Sequence, residues 1–219
     1  MCRSAAAEPR AILQLIAVAC ACSPAAAREA AAHSHPAQIL AVGLGCDQPE
    51  AIDAAMCLCA DHELNASTFA ARVAASTGAE AAVCICAALS ALSGPRHGSL
   101  SEHVEALIEG GAVLGDGVPP GCGHRLYPGG DPRAAHLIGL RPVDPVVGAL
   151  LDEIDERGLP APSLDIGLVA LRRALRLPRG SAMAIFAAGR TAGWLAHIAE
   201  EHTRGQLIRP RARYTGRRG

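Results

Sequence analysis

The chain has 219 residues and a formal net charge of −1, and all twenty of its basic residues are Arg. This length suffices for one hydrophobic core or two small lobes, and the near-neutral charge provides no overall basic field for nucleic acid. Half of the residues are apolar but only 2% are aromatic, so the core must consist of Ala, Leu, Ile and Val. Ala has the highest helix propensity, and alternating runs of β-branched residues are absent. The composition therefore predicts an all-α protein.

The N-terminal segment allows two interpretations. The apolar run 11–22 follows Arg3 and Arg10 and precedes small residues, which is typical of a signal peptide. Against export, Glu8 lies just before the run, the run is too short to span a bilayer, and the chain contains nine cysteines. We expect a cytoplasmic protein with no membrane contact, in which residues 11–32 form a helix of the fold.

The nine cysteines include three C-x-C pairs within apolar, Ala-rich runs. Residues two apart on a helix point in different directions, so these pairs are poor chelates for a metal ion. The spacings H-x₃-H and C-x₂-C do not occur in the sequence. We therefore expect free thiols in a reducing compartment and no metal site.

Several helix boundaries follow from local signals. The Asp-Pro pairs at 131–132 and 144–145 each place an N-cap aspartate before a proline, which favours the first turn of a helix. Asp47 and Glu50 form a capping-box pattern. We also predict that Ser163 caps a helix with Asp165 in its first turn, and that Ser181 caps a long helix.

Residues 110–130 are the least helical part of the chain, with eight glycines and three prolines in 21 residues. Long loops in compact domains are usually functional or disordered. Within this segment two glycines flank Cys122, which permits close approach of the backbone to a ligand, and His124 follows. Arg133 falls in the first turn of the helix predicted after Asp131. Together these residues suit an anionic ligand.

Five short stretches of the chain contain a histidine or an arginine in an unusual setting. They are D-H-E-L-N-A-S-T at 61–68, G-P-R-H-G at 94–98, G-C-G-H-R-L-Y at 121–127 followed by D-P-R at 131–133, R-T-A-G-W-L-A-H at 190–197, and I-R-P-R-A-R-Y-T-G at 208–216. Singly, each stretch is compatible with an ordinary turn, cap or solvent-exposed arginine. In this order they resemble the citrate synthase family, over residues 55–216.

The resemblance implies an all-α, citrate synthase-like fold, with a large and a small helical domain and the active site in the cleft between them. It assigns 1–97 and 178–219 to the large domain and 98–177 to the small domain. It implies a tricarboxylic acid cycle enzyme, an acyltransferase that condenses acetyl-CoA with oxaloacetate and hydrolyses citryl-CoA to citrate and CoA. The CoA thioester is a substrate, so no cofactor is expected. The alternatives are a 2-methylcitrate synthase, a citryl-CoA lyase or a non-catalytic ligand-binding protein.

The resemblance also implies a role for each site residue. Of the catalytic residues, His97 would stabilise the enol of acetyl-CoA, His124 would polarise the ketone of oxaloacetate, and Asp165 would remove a methyl proton. The oxaloacetate carboxylates would be bound by His62, Arg133, Arg190 and, from the partner subunit of a homodimer, Arg209. CoA would be contacted by the loop residues Val118, Pro119, Gly121, Cys122 and Gly123.

The chain departs from the family pattern in two regions. Only sixty residues precede the D-H-E stretch, which predicts a reduced large domain. Only 27 positions separate His97 from His124, which predicts the loss of a small-domain helix, and Cys122 replaces a common aromatic residue. These departures leave the catalytic positions filled but favour weaker CoA binding and lobe closure, and they motivate the non-catalytic alternative.

Overall fold

A computed structural model describes residues 7–95, 97–111, 114–115 and 117–216, so Arg96 of the G-P-R-H-G stretch lies outside the described residues. The described part contains eleven α-helices and one isolated β-bridge, which confirms the predicted all-α fold. In chain order the helices are α1 (Ala7–Ala19), α2 (Pro24–Ala30), α3 (Pro36–Gly43), α4 (Pro49–Ala60), α5 (Ala66–Ser76), α6 (Ala81–Leu92), α7 (Leu100–Glu109), α8 (Pro132–Gly139), α9 (Pro145–Glu156), α10 (Leu164–Ala174) and α11 (Ser181–Arg204). Within these ranges, no helix combines the length and apolar character needed to cross a bilayer.

Residues 11–32 form parts of two helices, so the prediction of one helix is wrong. Helix α1 ends at Ala19, and α2 begins at Pro24. The hydroxyl of Ser23 accepts a hydrogen bond from the backbone N–H of Ala26 at 3.1 Å. A serine cap followed by proline at the first helical position starts a new helix and cannot continue the previous one. This pair therefore interrupts the apolar run.

The two Asp-Pro helix starts are confirmed. The side chain of Asp131 caps α8, and that of Asp144 accepts hydrogen bonds from the first backbone N–H groups of α9. Helix α11 is one residue longer at its start than predicted, because Gly180 occupies the N-cap position with φ 84°. The capping box predicted at Asp47 is wrong. Helix α4 instead follows Gln48, whose side chain makes no capping hydrogen bond.

Helix α11 lies at the centre of the fold and packs against α1, α4, α5, α6 and α10. Its close approach to α4 depends on Gly189 and Gly193, which lie one turn apart on the same helix face. A Cβ atom at Gly189 would come within 2.5 Å of the Met56 carbonyl oxygen, and one at Gly193 would overlap the Ala60 carbonyl oxygen. These glycines therefore bring the end of α4, and the D-H-E turn that follows it, against α11.

The buried apolar residues form two clusters. The larger combines residues from α1–α4 and α7–α10 with the first part of α11. The smaller combines α5, α6 and the second part of α11, including the fully buried Trp194. The larger cluster contains residues of both predicted domains, the large one (1–97 and 178–219) and the small one (98–177). The division into domains stays a prediction.

Candidate active site

A cleft of about 610 Å³ opens between the turn after α4 and the loop before α8. Four of the predicted site residues line it: His62, Gly123, His124 and Arg133. The remaining lining residues are Asp61, Glu63, Leu64, Asn65, Arg125, Leu126 and Tyr127. The fold thus brings together the D-H-E turn and the loop with His124, although His62 and His124 are 62 positions apart in sequence.

His62 and His124 face each other in the cleft. Their ring centroids lie 6.0 Å apart in an edge arrangement, and the His62 ring also packs edge-on against Phe186 of α11. Burial, together with the positive charge of Arg133, lowers the pKa of His62 to about 4. His62 is therefore a neutral imidazole at neutral pH.

The hydrogen bonds of these histidines define which ring nitrogen has the proton. A guanidinium can only donate, and Nη1 of Arg133 lies 3.1 Å from Nδ1 of His62, so Nδ1 accepts and Nε2 bears the proton. For His124, the backbone N–H of Leu126 donates to Nδ1 at 3.3 Å. Nε2 is therefore the donor of His124 as well. Both rings have an N–H available for an electron-rich ligand atom.

Arg133 is held by Asp131 through two hydrogen bonds, from Nε to Oδ1 at 3.0 Å and from Nη2 to Oδ2 at 2.9 Å. The carboxylate of Asp131 also accepts the Leu164 N–H at 3.1 Å. Helix α10 begins after Ser163 as predicted, but the Ser163 side chain makes no capping bond, so that part of the prediction is wrong. Asp131 therefore caps both α8 and α10 and fixes Arg133 between them.

Arg190 lies beneath the cleft and does not line it. The side chain is fully buried and donates to the carbonyl oxygens of Ala60 and Glu63, the latter at 3.1 Å, and to the hydroxyl of Thr68 at 2.7 Å. Glu63 has a positive φ of 50°, an unfavourable conformation for a residue with a side chain. Arg190 thus fastens the strained D-H-E turn to α11.

The loop segment 121–123 runs beside the residues that precede α10. The Ser163 N–H donates to the Gly121 carbonyl oxygen at 2.7 Å, and the Gly123 N–H donates to that of Ala161 at 2.8 Å. Gly121 has φ +81°, and a Cβ atom there would lie 2.7 Å from a methyl carbon of Val104. These contacts place the loop that contains His124 next to the first turn of α10.

Asp165 is the second residue of α10, in the first turn as predicted. The Ser101 hydroxyl donates to its Oδ1 at 2.7 Å, and the Ser163 hydroxyl lies 3.5 Å from its Oδ2. Burial raises the pKa of Asp165 above its usual value, although these hydrogen bonds and the charge of Arg133 oppose the increase. A raised pKa makes the carboxylate a stronger base than an exposed aspartate.

His97 occupies the turn between α6 and α7. Its Nε2 accepts the Ser67 N–H at 3.3 Å and lies 2.9 Å from the Ser67 hydroxyl oxygen. Burial lowers the pKa of His97, which favours the neutral ring. Because Nε2 is an acceptor, the proton lies on Nδ1. Ser67 thus fixes the tautomer of His97.

The predicted CoA-contacting residues differ in accessibility. Val118 and Gly123 are exposed, whereas Pro119 and Gly121 are buried. Cys122 is partly buried against the larger apolar cluster, and burial raises the pKa of its thiol to about 11.

Arg209 is exposed in the extended segment after α11, outside the cleft, and the neighbouring Ile208 N–H donates to the Ser76 hydroxyl at 3.1 Å.

Residues 6–211 match the family model described as citrate synthase, C-terminal domain. This chain belongs to the citrate synthase family. The match includes α1–α3 and the first part of α4, which precede residue 55, where the resemblance of the motifs begins. Citrate synthase 2 of Bacillus subtilis is 38% identical over 192 residues, covering 76% of this chain and 51% of that protein. The 2-methylcitrate synthase 2 of Corynebacterium glutamicum is 34% identical over 182 residues, covering 73% and 47%.

The chain therefore spans about half the length of the curated relatives that it matches. Among solved structures, citrate synthase of Thermoplasma acidophilum in a ternary complex with carboxymethyl coenzyme A and oxaloacetate is similar with a TM-score of 0.65 and 29% identity, covering 85% of this chain and 58% of that one. A citryl-CoA lyase of Hydrogenobacter thermophilus gives a TM-score of 0.67 at 22% identity, covering 84% of each chain, a likeness of fold alone.

Sequence reasoning missed three residues that contact the candidate site residues. Asp131 was predicted only as a helix cap, and the sequence predicted no role in the site for Ser67 or Ser101. The buried position of Ser101 could have been inferred, since it lies three and seven residues before the apolar Val104 and Ile108 on α7. Its contact with Asp165 spans 64 residues, and no local pattern indicates it.

Proposed function

We propose that this chain catalyses the citrate synthase reaction, in which acetyl-CoA, oxaloacetate and water give citrate and CoA. The observation that supports it most strongly is the pairing of segment 121–123 with residues 161–163. This pairing puts the loop with His124 beside the first turn of α10, which contains Asp165. A ketone-polarising histidine and a general base thus belong to adjacent, hydrogen-bonded segments.

In the proposed reaction Asp165 removes a proton from the acetyl methyl group of the thioester. His97 donates a hydrogen bond to the thioester oxygen, where negative charge develops. The enolate carbon forms a bond to the ketone carbon of oxaloacetate, and His124 supplies a proton to the ketone oxygen. Water then attacks the thioester carbonyl of citryl-CoA, and the CoA thiol leaves.

Binding of oxaloacetate is assigned to the cleft. His62 offers the Nε2–H of a neutral ring, and Arg133 offers a planar guanidinium suited to a carboxylate. Arg190 is proposed as a further carboxylate ligand, which would require it to exchange some of its hydrogen bonds to Ala60, Glu63 and Thr68. CoA is proposed to lie along residues 118–123.

The test is the release of free thiol from acetyl-CoA by the purified chain, measured with and without oxaloacetate. We expect release only with oxaloacetate, and loss of at least about a hundredfold in the Asp165→Asn variant, because a general base contributes this much or more. Ser163→Ala is the matched control, since it removes a hydroxyl that contacts the Asp165 carboxylate and keeps the carboxylate itself. Release in the wild type no greater than in Asp165→Asn would contradict the proposal.

Two further substrates distinguish the proposed reaction from the alternative reactions. Propionyl-CoA in place of acetyl-CoA tests 2-methylcitrate synthesis, which the relative of that name from Corynebacterium glutamicum motivates. Citryl-CoA supplied alone tests cleavage to acetyl-CoA and oxaloacetate, which releases no thiol and is followed through the oxaloacetate that it forms. We expect acetyl-CoA to give the highest kcat/KM of the three substrates.

A second candidate function is non-catalytic ligand binding. Two observations favour it: the nitrogens Nη1 and Nη2 of Arg190 already have protein partners, and two residues of the proposed CoA segment, Pro119 and Gly121, are buried. Calorimetry distinguishes the candidates. Binding of oxaloacetate without binding of acetyl-CoA, at any oxaloacetate concentration, would support the non-catalytic function and contradict the enzyme.

We further propose that the site is completed by Arg209 of the partner subunit in a homodimer. Asp165→Asn and Arg209→Ala would each be inactive alone. Mixed and allowed to exchange subunits, they should recover about a quarter of the wild-type activity, because half of the dimers are then mixed and one of their two sites has both residues. No recovery in a sample shown to contain mixed dimers would contradict donation across the interface.

A further inference from the structure

Ser101 makes the shortest hydrogen bond to Asp165, although it belongs to another helix. Its hydroxyl donates to Oδ1 at 2.7 Å, and the residue is only 3% exposed. A second side-chain hydroxyl at this carboxylate, that of Ser163, lies 3.5 Å from Oδ2. Oδ1 therefore accepts the shorter of the two hydrogen bonds, and Oδ2, which has only the longer contact, is the oxygen better placed to accept a proton.

The position of Ser101 is fixed by the rest of α7. Glu105 lies one turn further along the same helix face and is 2% exposed. Its carboxylate accepts the Gly180 N–H at 3.1 Å and pairs with Nε of Arg172 at 3.3 Å. Glu109, one further turn along, pairs with Nη2 of Arg172 at 3.3 Å. Ion pairs thus hold α7 against α10, with Ser101 opposite Asp165.

We propose that Ser101 is a positioning residue for Asp165, which orients the carboxylate with Oδ2 toward the substrate and favours its ionised form. This inference rests on the proposed function, in which Asp165 is the base. A hydroxyl that donates to a carboxylate stabilises the charged form more than the neutral form. Ser101 therefore limits how far burial can raise the basicity of Asp165.

The other titratable groups that act on Asp165 come from two further helices. Arg133 on α8 favours the carboxylate by its positive charge. Cys59 on α4 is fully buried, and burial raises the pKa of its thiol to about 12, so it is neutral near Asp165 at physiological pH. Among the effects that oppose the burial of Asp165, the hydrogen bond from Ser101 is the largest.

The decisive experiment is an NMR titration of the Asp165 carboxyl carbon in the full chain labelled with ¹³C-aspartate, with the signal assigned by its loss in Asp165→Asn. Loss of a hydrogen bond to a charged group should raise the pKa of Asp165 by about one to two units in Ser101→Ala. Ser163→Ala, which removes the longer contact, should change it far less. Ser101→Thr keeps a hydroxyl and should restore the wild-type value.

Kinetics provide the second readout. In Ser101→Ala, the acidic limb of kcat/KM should move to higher pH by the same amount, while the KM for oxaloacetate stays unchanged. A pKa of Asp165 equal in the wild type and in a folded Ser101→Ala variant would overturn the inference. The titration needs no substrate, so a chain without synthase activity would contradict the proposed function and still leave the titration to decide on Ser101.

Discussion

Asp131 and Arg133 form a bidentate ion pair in which each carboxylate oxygen accepts a hydrogen bond from one guanidinium nitrogen, at 3.0 and 2.9 Å. Only Nη1 points elsewhere, toward Nδ1 of His62 at 3.1 Å and the Asp61 carbonyl oxygen at 3.4 Å. In this structure the charge of Arg133 is therefore already balanced. Each guanidinium nitrogen of Arg133 thus has a protein partner, so a substrate carboxylate must share or displace one of these partners while Asp131 keeps the guanidinium in a fixed orientation.

Removal of Asp131 should destabilise the chain more than removal of a similar aspartate elsewhere. In Asp131→Ala we expect the free energy of unfolding to fall by about 3 kcal/mol, because a nearly buried Arg133 loses its partner. Asp144→Ala is the matched control, since Asp144 is also an Asp-Pro helix cap paired with an arginine, but with both side chains more exposed. Its expected loss is about 1 kcal/mol, measured by urea unfolding.

This contribution should depend on pH. Burial by itself would raise the pKa of Asp131, yet the hydrogen bonds and charge of Arg133 hold this pKa below its usual value. The folded pKa is lower than the unfolded pKa, so the contribution is complete above the unfolded value and is lost as the pH falls through the folded one. The difference in unfolding free energy between the wild type and Asp131→Ala should therefore shrink in acid. A difference that stays constant down to pH 2 would refute this assignment.

His62 should remain neutral across the physiological range. We expect its imidazole to titrate with a pKa of about 4, followed by NMR and assigned with His62→Gln. The folded chain then binds fewer protons than the unfolded chain between this value and the ordinary histidine pKa, so His62 lowers stability as the pH falls through that window. Arg133→Met should raise the pKa of His62 only in part, since burial is the larger cause. An ordinary pKa in the wild type would contradict a buried, neutral ring.

The fold class and several boundaries were predictable because they depend on local properties. Ala-rich composition favours helices throughout, and the Asp-Pro signals at 131 and 144 act within one turn. The sequence motifs also identified His62, His124 and Arg133, which do line one cleft. Local signals failed where two candidates competed. Pro49 starts α4 without the Asp47 cap that the pattern favoured.

The environment of the site residues could not be predicted, because it depends on contacts between distant segments. The partners of Arg190 include two backbone carbonyls that lie 127 and 130 residues away. Every residue has a backbone carbonyl, so no sequence pattern indicates which of them Arg190 contacts. Likewise, the double role of Asp131 requires α10 to begin beside α8. Sequence indicates which side chains are chemically capable, while packing decides which of their atoms remain free.

A methyl group at Gly193 should disrupt the junction of α4 and α11. In Gly193→Ala the new Cβ atom would overlap both the Ala60 carbonyl oxygen and Nη1 of Arg190. We expect a loss of about 3 kcal/mol in the free energy of unfolding. Gly139→Ala is the control, because Gly139 is an exposed helical glycine with open space around it. That variant should be neutral or slightly more stable, and equal losses in the two variants would argue against the packing explanation.

Gly121 should tolerate no side chain, for reasons of both backbone and packing. At φ +81° a Cβ atom would lie 2.7 Å from Val104 and 2.8 Å from Ile166. Gly111 has φ +90° with nothing near its Cβ position, so Gly111→Ala measures the backbone cost alone, about 1 kcal/mol. Gly121→Ala should cost at least about 2 kcal/mol more in thermal or urea unfolding. Similar losses in both variants would show that the loop can shift away from α7 and α10.

The position of Arg190 beneath the D-H-E turn has a consequence for synthesis on the ribosome. His62 and His124 emerge before α11, so the strained turn that presents His62 has no anchor until α11 follows. Contacts between residues so far apart in sequence form late, since they require closure of a long loop. A nascent chain that stalls before residue 190 therefore contains the cleft histidines without the anchor for the turn that presents His62, and we expect ligand binding to begin only after α11 has been synthesised.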